Sequence, residues 1–122
     1  MDIASLKPLE EVEVKISHPV TGVVTDIVFT VKGTYSKEYR QAYRSVLVKN
    51  MTKDDSEEKE DEDDQEAEIL AKCVVDFKGL LIDGEEPEKT TESIKQILID
   101  YTWIKNQIDV FIAKKSNFFL KA

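Results

Sequence analysis

The sequence predicts an α+β fold in which an N-terminal β-hairpin is followed by about four amphipathic helices. Three observations lead to this prediction. Valine and isoleucine alternate with charged residues from Val12 to Ile16, which is typical of a half-buried strand. From Tyr39 onward, apolar residues instead recur every three or four positions, which indicates helices. The chain has 122 residues, of which 41% are hydrophobic, so we expect one core and a single domain over residues 1–122.

The hairpin is predicted over residues 11–32. Its turn is the segment His18-Pro19-Val20-Thr21-Gly22, because proline restricts the backbone around it and glycine tolerates a positive φ. The second strand is the β-branched run VVTDIVFTV, which ends at Gly33. Two strands alone are marginally stable in water, so helices or a neighbouring subunit must cover their apolar face.

The first helix is predicted over residues 34–50, with either Thr34 or Ser36 as its N-cap. Its apolar residues are spaced by three and four positions, as expected for one continuous buried stripe. Arg40 and Arg44 lie outside this stripe and are expected on a solvated face. The stripe comprises Tyr39, Ala42, Tyr43, Val46 and Leu47.

Residues 52–66 are predicted to form a poorly ordered acidic insert. Between Asp54 and Glu66 there are ten acidic residues and one lysine, and like charges in such a block repel one another. The rest of the chain has 15 acidic and 16 basic residues, so the net charge of −8 belongs to the insert. This distribution predicts neither a nucleic-acid partner nor an anionic membrane surface. Alternatively, the residues from Glu66 onward are predicted to form the start of the next helix, because carboxylates favour helix N-termini.

Three further helices are predicted within residues 67–120. We expect the second helix to end at Gly79, the third to be capped by Thr90 or Thr91, and the fourth to begin near Thr102, with Thr102 as its N-cap. An Asp83-Gly84 turn follows the second helix. The apolar stripes comprise Ile69, Leu70, Cys73, Val74 and Phe77 in the second helix, Ile94, Ile97, Leu98 and Tyr101 in the third, and Trp103 or Ile104, Ile108, Phe111 and Ile112 in the fourth.

No catalytic cluster is evident, so we expect a protein that is not an enzyme and binds neither a cofactor nor a metal. The only histidine, His18, precedes a proline in a turn, and one His with one Cys cannot complete a tetrahedral zinc site. An EF-hand loop starting at Asp61 would place Glu66 where glycine is required. Cys73 lies on an apolar stripe, so we expect a buried and unreactive thiol. Neither a secretory signal nor an apolar run of about 18 residues is present, so we expect a soluble cytoplasmic protein.

Apolar surface is therefore expected to carry the function. Trp103 and Phe111 are expected either to complete the core or to contact a partner. The terminal residues Phe118 and Phe119 are expected to dock either onto the chain itself or onto a partner. The candidate partner-binding residues are Phe77, Leu81, Trp103, Phe111, Phe118 and Phe119.

Several short motifs occur in an unusual order along the chain. Val74-Val75-Asp76-Phe77 is followed by Gly79, Asp83-Gly84 by Pro87, and Asn117-Phe118 lies near the end. An HPVTG turn, Gly33 and a YSKEYR segment precede them. This arrangement resembles the tail assembly chaperones of long-tailed, siphovirus-like bacteriophages over nearly all of the chain except the acidic insert. Phe77 stands where tryptophan is expected and Thr102 where proline often opens the last helix, which leaves the subfamily open.

The resemblance implies a nonenzymatic morphogenesis factor that acts in the cytoplasm of the bacterial host and is absent from the mature virion. Such chaperones coat the long helical tape measure protein and keep it soluble until the tail tube polymerises. In many relatives, a ribosomal frameshift makes a longer form whose extra domain recruits the tail tube protein, and this chain would be the short form. We hypothesise that helices two to four form the groove for the partner. In the same hypothesis, the hairpin mediates homo-oligomer formation and the acidic insert keeps the coated complexes soluble.

Two alternative functions stay open. A structural tail or head–tail connector subunit would share the α+β pattern, but it would be present in finished virions. An acidic DNA-mimic inhibitor is favoured by the acidic run alone, whereas mimics usually spread carboxylates over the folded surface. Competition with DNA for DNA-binding enzymes distinguishes a mimic from a chaperone.

Overall fold

The computed structural model of the protein describes residues 3–52 and 62–119, and it confirms the predicted α+β fold. Within these residues the chain forms four helices and an antiparallel sheet of three strands, which pair in their order along the sequence. Short 3-10 turns lie near either end, at Ile3–Leu6 and Lys115–Phe118. The elements are β1 (Val12–Ser17), β2 (Val24–Val31), α1 (Lys37–Thr52), α2 (Glu62–Cys73), β3 (Val74–Lys78), α3 (Thr91–Asp100) and α4 (Thr102–Ala113).

The predicted hairpin is present as β1 and β2, which pair with Val14 opposite Phe29. Its turn is held by His18, whose Nδ1 accepts hydrogen bonds from the backbone N–H groups of Val20 and Thr21 at 3.1 and 3.2 Å. Gly22 adopts a φ of 73°, as expected for the glycine of this turn. The only histidine therefore has a structural role in the turn.

The third strand, β3, corrects the predicted second helix. That helix was predicted to continue through Val74 and Phe77 to Gly79. It ends instead at Cys73, and the following residues pair with β2 as a strand. Phe77 lies opposite Phe29, and their ring centroids are 5.7 Å apart. β-Branched and aromatic residues suit a strand, and pairing with the free edge of β2 prevailed over the helical spacing.

Helix α1 begins and ends two to three residues later than predicted. Ser36 is its cap, because its Oγ accepts a hydrogen bond from the Tyr39 backbone N–H at 3.1 Å. Only part of the predicted stripe is buried: Ala42 and Val46 pack against Ile69 of α2. The prediction of a single buried stripe was wrong for the other two members of this helix face, because Tyr43 and Leu47 are 48% and 45% exposed.

The acidic segment predicted over 52–66 overlaps with both neighbouring helices. Thr52 is the last residue of α1, and residues 62–66 form the first turn of α2, while residues 53–61 lie outside the described part of the chain. Glu66 forms an ion pair with the buried Lys105 of α4 at 3.0 Å. Lys49 pairs with Glu68 at 3.3 Å and joins α1 to α2. Specific partners on α4 and α1 thus hold the carboxylates nearest the core.

Helices α3 and α4 follow a two-residue turn at Asp83 and Gly84, where both residues have positive φ. Thr90 caps α3, since its Oγ accepts from the Ser93 N–H at 3.1 Å. Thr102, predicted as a cap, is the first residue of α4 instead. The predicted inner stripes are buried, except for Tyr101 at the helix junction and Phe111, which is half-buried; the buried members are Ile94, Ile97, Leu98, Ile104, Ile108 and Ile112.

The core lies between the inner face of the sheet and helices α2, α3 and α4. Phe29 is fully buried at its centre, and Phe118 closes one end from the C-terminal 3-10 turn. The outer face of the sheet carries polar side chains such as Glu13 and Lys15, which are exposed. An antiparallel sheet that is covered on one face in this way explains the alternation seen in β1.

Candidate protein-binding surfaces

Two of the six predicted partner-binding residues belong to the core. Phe77 and Phe118 are each 1% exposed, so their rings are not available to a partner in this conformation. Phe77 is buried because β3 turns its side chain inward onto Phe29. Phe118 docks onto the chain itself, one of the two alternatives left open above, because the terminal 3-10 turn folds back and the Leu9 N–H donates a hydrogen bond to the Phe118 carbonyl oxygen at 2.6 Å.

The other four predicted residues are more accessible but are distributed over several elements. Trp103 and Phe111 are half-buried and pack against the core, and Phe111 meets the Phe118 ring edge-on at 5.9 Å. Phe119 is half-buried and contacts Tyr35 edge-on at 5.7 Å. Leu81, in the loop after β3, is 65% exposed. These four side chains come from α4, the C-terminal segment and a loop, so they do not form the continuous helical groove that was hypothesised.

Another exposed apolar surface lies on α1, and it contains none of the six predicted residues. Positions spaced by three and four residues lie on one side of a helix, and here a second such series is largely exposed. Its apolar members include Val48 and Met51, which are 51% and 83% exposed. We call this surface the α1 outer face; it comprises Arg40, Tyr43, Arg44, Leu47, Val48 and Met51.

The sequence contains a signal for this surface. Apolar residues cover both the 39-42-46 series and the 43-47-51 series of α1, an arc too wide for one helix to bury against a single neighbour. Tyr43 and Leu47 were predicted to belong to the buried stripe, so the second series was not recognised as a separate surface. The contacts of α2 separate them, because Ala42 and Val46 are buried against Ile69 of α2 with Tyr39 packed beside them, whereas Leu47 and Met51 are exposed.

The α1 outer face is held in a fixed orientation. At the far end of the helix, Asn50 and Gln65 of α2 exchange side-chain hydrogen bonds, the shorter at 2.8 Å. Near the start, Lys32 pairs with Glu38 at 3.0 Å. A backbone hydrogen bond, followed in importance by this bond from Lys32, lowers the pKa of the Glu38 carboxyl. These contacts hold α1 in place, so its exposed apolar side chains face solvent in a defined orientation.

The charge on the α1 outer face is positive. Arg40 and Arg44 flank its apolar residues and are exposed. Among the described residues, no carboxylate forms an ion pair with either arginine. Arginine, tyrosine and methionine are enriched at protein interfaces, so this composition makes the α1 outer face a candidate binding surface.

A second candidate surface is a groove between the outer edge of β1 and α4. It has a volume of about 460 Å³ and includes apolar side chains from both elements. Gln107 closes one end: its side chain accepts from the Ser17 N–H at 2.7 Å and donates to the Ser17 carbonyl oxygen at 2.8 Å. We call this the β1–α4 groove; its lining includes Val14, Lys15, Gln107, Val110, Phe111 and Lys114.

The described residues contain no group of three His, Cys, Asp or Glu side chains placed to hold a metal ion. None of the described helices combines the length and the apolar character needed to cross a bilayer. The carboxylate of Asp76 is used structurally: it pairs with Lys89 at 2.8 Å, and this hydrogen bond is the main cause of its lowered pKa.

Cys73 is fully buried, as expected from its place on an apolar stripe. Burial is the main cause that raises the pKa of its thiol to about 12. The thiolate is the reactive form of cysteine, so this environment favours an unreactive side chain at neutral pH.

The same shift predicts a loss of stability at alkaline pH. The thiol of the unfolded chain ionises near its ordinary pKa, whereas the folded chain keeps the proton up to about pH 12. Between these values the unfolded state binds fewer protons, so the free energy of unfolding falls with rising pH by at most about 1.4 kcal/mol per unit from this group. Urea titrations of wild type and Cys73→Ala between about pH 8 and 11 measure this part as the difference in slope. Equal slopes for the two proteins would contradict the prediction.

Comparisons of the chain with protein-family models, with curated proteins and with solved structures found no match.

Proposed function

We propose that the protein is a nonenzymatic tail assembly chaperone of a long-tailed bacteriophage, which binds the tape measure protein and keeps it soluble until the tail tube polymerises. The motif order around Val74–Gly79, Asp83–Pro87 and Asn117–Phe118 supports this proposal through the resemblance described above. The observation that carries it is the α1 outer face. A long helical partner with apolar stripes needs a complementary apolar surface, and α1 offers one at helical spacing.

The size of this face suits a binder that must later release its partner. Covering four apolar side chains contributes roughly 6 kcal/mol, at about 1.5 kcal/mol for each. Association itself costs about 4–15 kcal/mol, so one chaperone copy binds weakly. Several copies along one long helix would hold it by their combined contacts, and each copy is displaced separately as the tube advances.

The flanking arginines define the chemistry of the partner segment. Arg40 and Arg44 lie one helical turn apart on the same side of α1. A matching partner helix carries an apolar stripe bordered by carboxylates at a similar spacing. The partner surface hypothesised on helices two to four is therefore replaced in this proposal by α1, because α3 and α4 direct their main apolar stripes into the core.

Other parts of the proposal follow from the same resemblance. The chaperone acts in the host cytoplasm and is absent from the mature virion. A frameshift-extended form would bring the tail tube protein to the coated tape measure protein. Mass spectrometry of purified virions tests this assignment against a structural connector, since a connector would be found at a fixed copy number.

The binding surface is tested by coexpression with the candidate tape measure protein of the same phage. The double variant Leu47→Asp/Met51→Asp places two carboxylates on the α1 outer face. We expect it to reduce the amount of soluble, copurified partner at least about 10-fold, because buried carboxylates opposite a partner's own carboxylates repel. Both side chains are substantially exposed, so the fold should persist, as circular dichroism can verify.

Val20→Asp is the matched control. Val20 is 87% exposed in the hairpin turn and receives the same change in chemistry away from α1. This variant should solubilise the partner as well as wild type does. Unimpaired copurification of the double variant would exclude α1 as the binding surface, and failure of wild type to bind any long helical partner would refute the proposed function.

A further inference from the structure

Strand β1 is an edge of the sheet within the described residues, since the strand order is β1-β2-β3. An edge strand directs the backbone N–H and C=O groups of every second residue away from its neighbour. The hydrogen bonds around the sheet determine which residues of β1 present these groups to the β1–α4 groove.

Two independent observations fix the direction. The Lys32 N–H, just after β2, donates to the Cys73 carbonyl oxygen beside β3 at 2.9 Å. Even-numbered residues of β2 therefore face β3, and the odd-numbered residue Phe29 faces β1, where its partner is Val14. On β1 itself, the Ile16 carbonyl oxygen accepts from the Thr25 hydroxyl of β2 at 2.7 Å. Val14 and Ile16 thus direct their peptide groups toward β2.

The alternate residues must then face outward. Ser17 does so, because both its N–H and its C=O bond to the Gln107 side chain and not to β2. By the same alternation, Glu13 and Lys15 direct their backbone N–H and C=O groups into the β1–α4 groove. Gln107 satisfies the end of the edge in the way that a neighbouring peptide group would. Within the described part of the chain, no such partner faces the two preceding outward positions.

The side chains of these two residues are exposed and of opposite charge. In an antiparallel pair of identical strands with the two-fold axis at Val14, Glu13 of each copy lies directly opposite Lys15 of the other. We propose that β1 binds β1 of a second copy in this register, which forms one continuous sheet across a symmetric dimer. Opposite charges that face each other across strands stabilise such a pair.

The charges also disfavour the competing arrangements. A parallel pair in register places Glu13 beside Glu13 and Lys15 beside Lys15. An antiparallel pair shifted by two residues brings either the two Glu13 or the two Lys15 side chains directly opposite each other; the first of these shifts also places Glu11 opposite Lys15, but it adds a like-charge pair that the Val14-centred register lacks. Like charges in these positions are destabilising, so the Val14-centred register is the favoured one.

The groove beside β1 supports the same arrangement. Val110 of α4 is 71% exposed and Phe111 is half-buried, and both line the groove. In the proposed dimer the two α4 helices become neighbours beneath the continuous sheet. Their contact covers Val110. An edge strand whose outward peptide groups have no partner among the described residues, and the exposed apolar side chain next to it, are then removed from water in one step.

The test uses the isolated full-length protein and sedimentation velocity over a concentration series. Wild type should dimerise. Glu13→Lys and Lys15→Glu should each raise the dimer dissociation constant about 10-fold or more, because each creates two like-charge pairs. Equimolar mixing of these two variants should restore dimers, since a protomer with lysine at both positions then faces a protomer with glutamate at both. The double variant Glu13→Lys/Lys15→Glu should dimerise like wild type.

Lys78→Glu is the matched control: Lys78 is exposed at the other edge of the sheet, on β3, and this charge reversal should leave the dimer intact. In the wild-type dimer, the amide hydrogens of Glu13 and Lys15 should exchange more slowly than those at the same positions in either single variant at the same concentration. A monomer at all concentrations, or a dimer that is insensitive to the single variants or not restored by mixing, would overturn the proposal. No partner protein is present in this experiment, so its outcome is independent of the proposed chaperone function.

Discussion

Phe118→Ala is expected to lower the free energy of unfolding by about 3 kcal/mol, the usual cost of truncating a buried phenylalanine. The ring is 1% exposed and lies against Phe111 at one side. It also fills the space above Gly33, where an added Cβ would come within 2.7 Å of a ring carbon. Because domains of this size are stable by only about 5–15 kcal/mol, the loss is a large fraction of the total.

Urea unfolding monitored by the fluorescence of Trp103, the single tryptophan, measures this effect. Phe119→Ala is the matched control, because its ring is half-buried and meets the ring of Tyr35 edge-on at the surface. We expect it to cost about 1 kcal/mol. If Phe118→Ala left stability unchanged and weakened only partner binding, Phe118 would be a binding residue after all, as one of the sequence-based alternatives had it.

Gly79→Ala is expected to cost about 3 kcal/mol or more, for two reasons that add. Gly79 has a φ of 76°, a conformation that costs residues with a side chain about 1–2 kcal/mol. In addition, a Cβ at this position would overlap with the carbonyl oxygen of Asp26 on β2. That oxygen belongs to the backbone, so the overlap can be relieved only by moving β2 or the end of β3.

Gly84→Ala separates the two contributions. Gly84 also has a positive φ, of 82°, but an added Cβ would meet no atom within 4 Å. This variant should lose only the conformational part, about 1–2 kcal/mol. Equal losses of unfolding free energy in the two variants, measured by urea titration, would show that the close approach of Asp26 contributes nothing.

The sequence and the structure disagree most clearly at residues 69–79. The apolar spacing from Ile69 to Phe77 fits a helix, and the helix does extend to Cys73. Beyond it, Val74 and Phe77 are suited to either a helix or a strand. Pairing with the exposed edge of β2 favours the strand. A local sequence pattern carries no information about that edge. Gly79 was correctly expected to end an element, but the element is a strand.

The candidate sites show the same division. Sequence reasoning identified aromatic residues as interface candidates, and two of the six proved to be core residues because the chain folds back at Phe118 and pairs at Phe77. The α1 outer face was present in the sequence as a second apolar series. Its exposure depends on how α2 packs against α1. This packing forms only when the chain folds, so no local pattern shows it.

By itself, the sequence determined the fold class, the hairpin with its His18 turn, the capped start of α3 at Thr90 or Thr91 and the burial of Cys73. Each of these depends on interactions between residues close in the chain or on a regular apolar spacing. Only the tertiary structure decided the third strand, the end of the acidic segment that joins α2, and which apolar side chains stay in contact with water. These features depend on pairing and burial between distant segments, whose free energy exceeds the local preferences of a few residues.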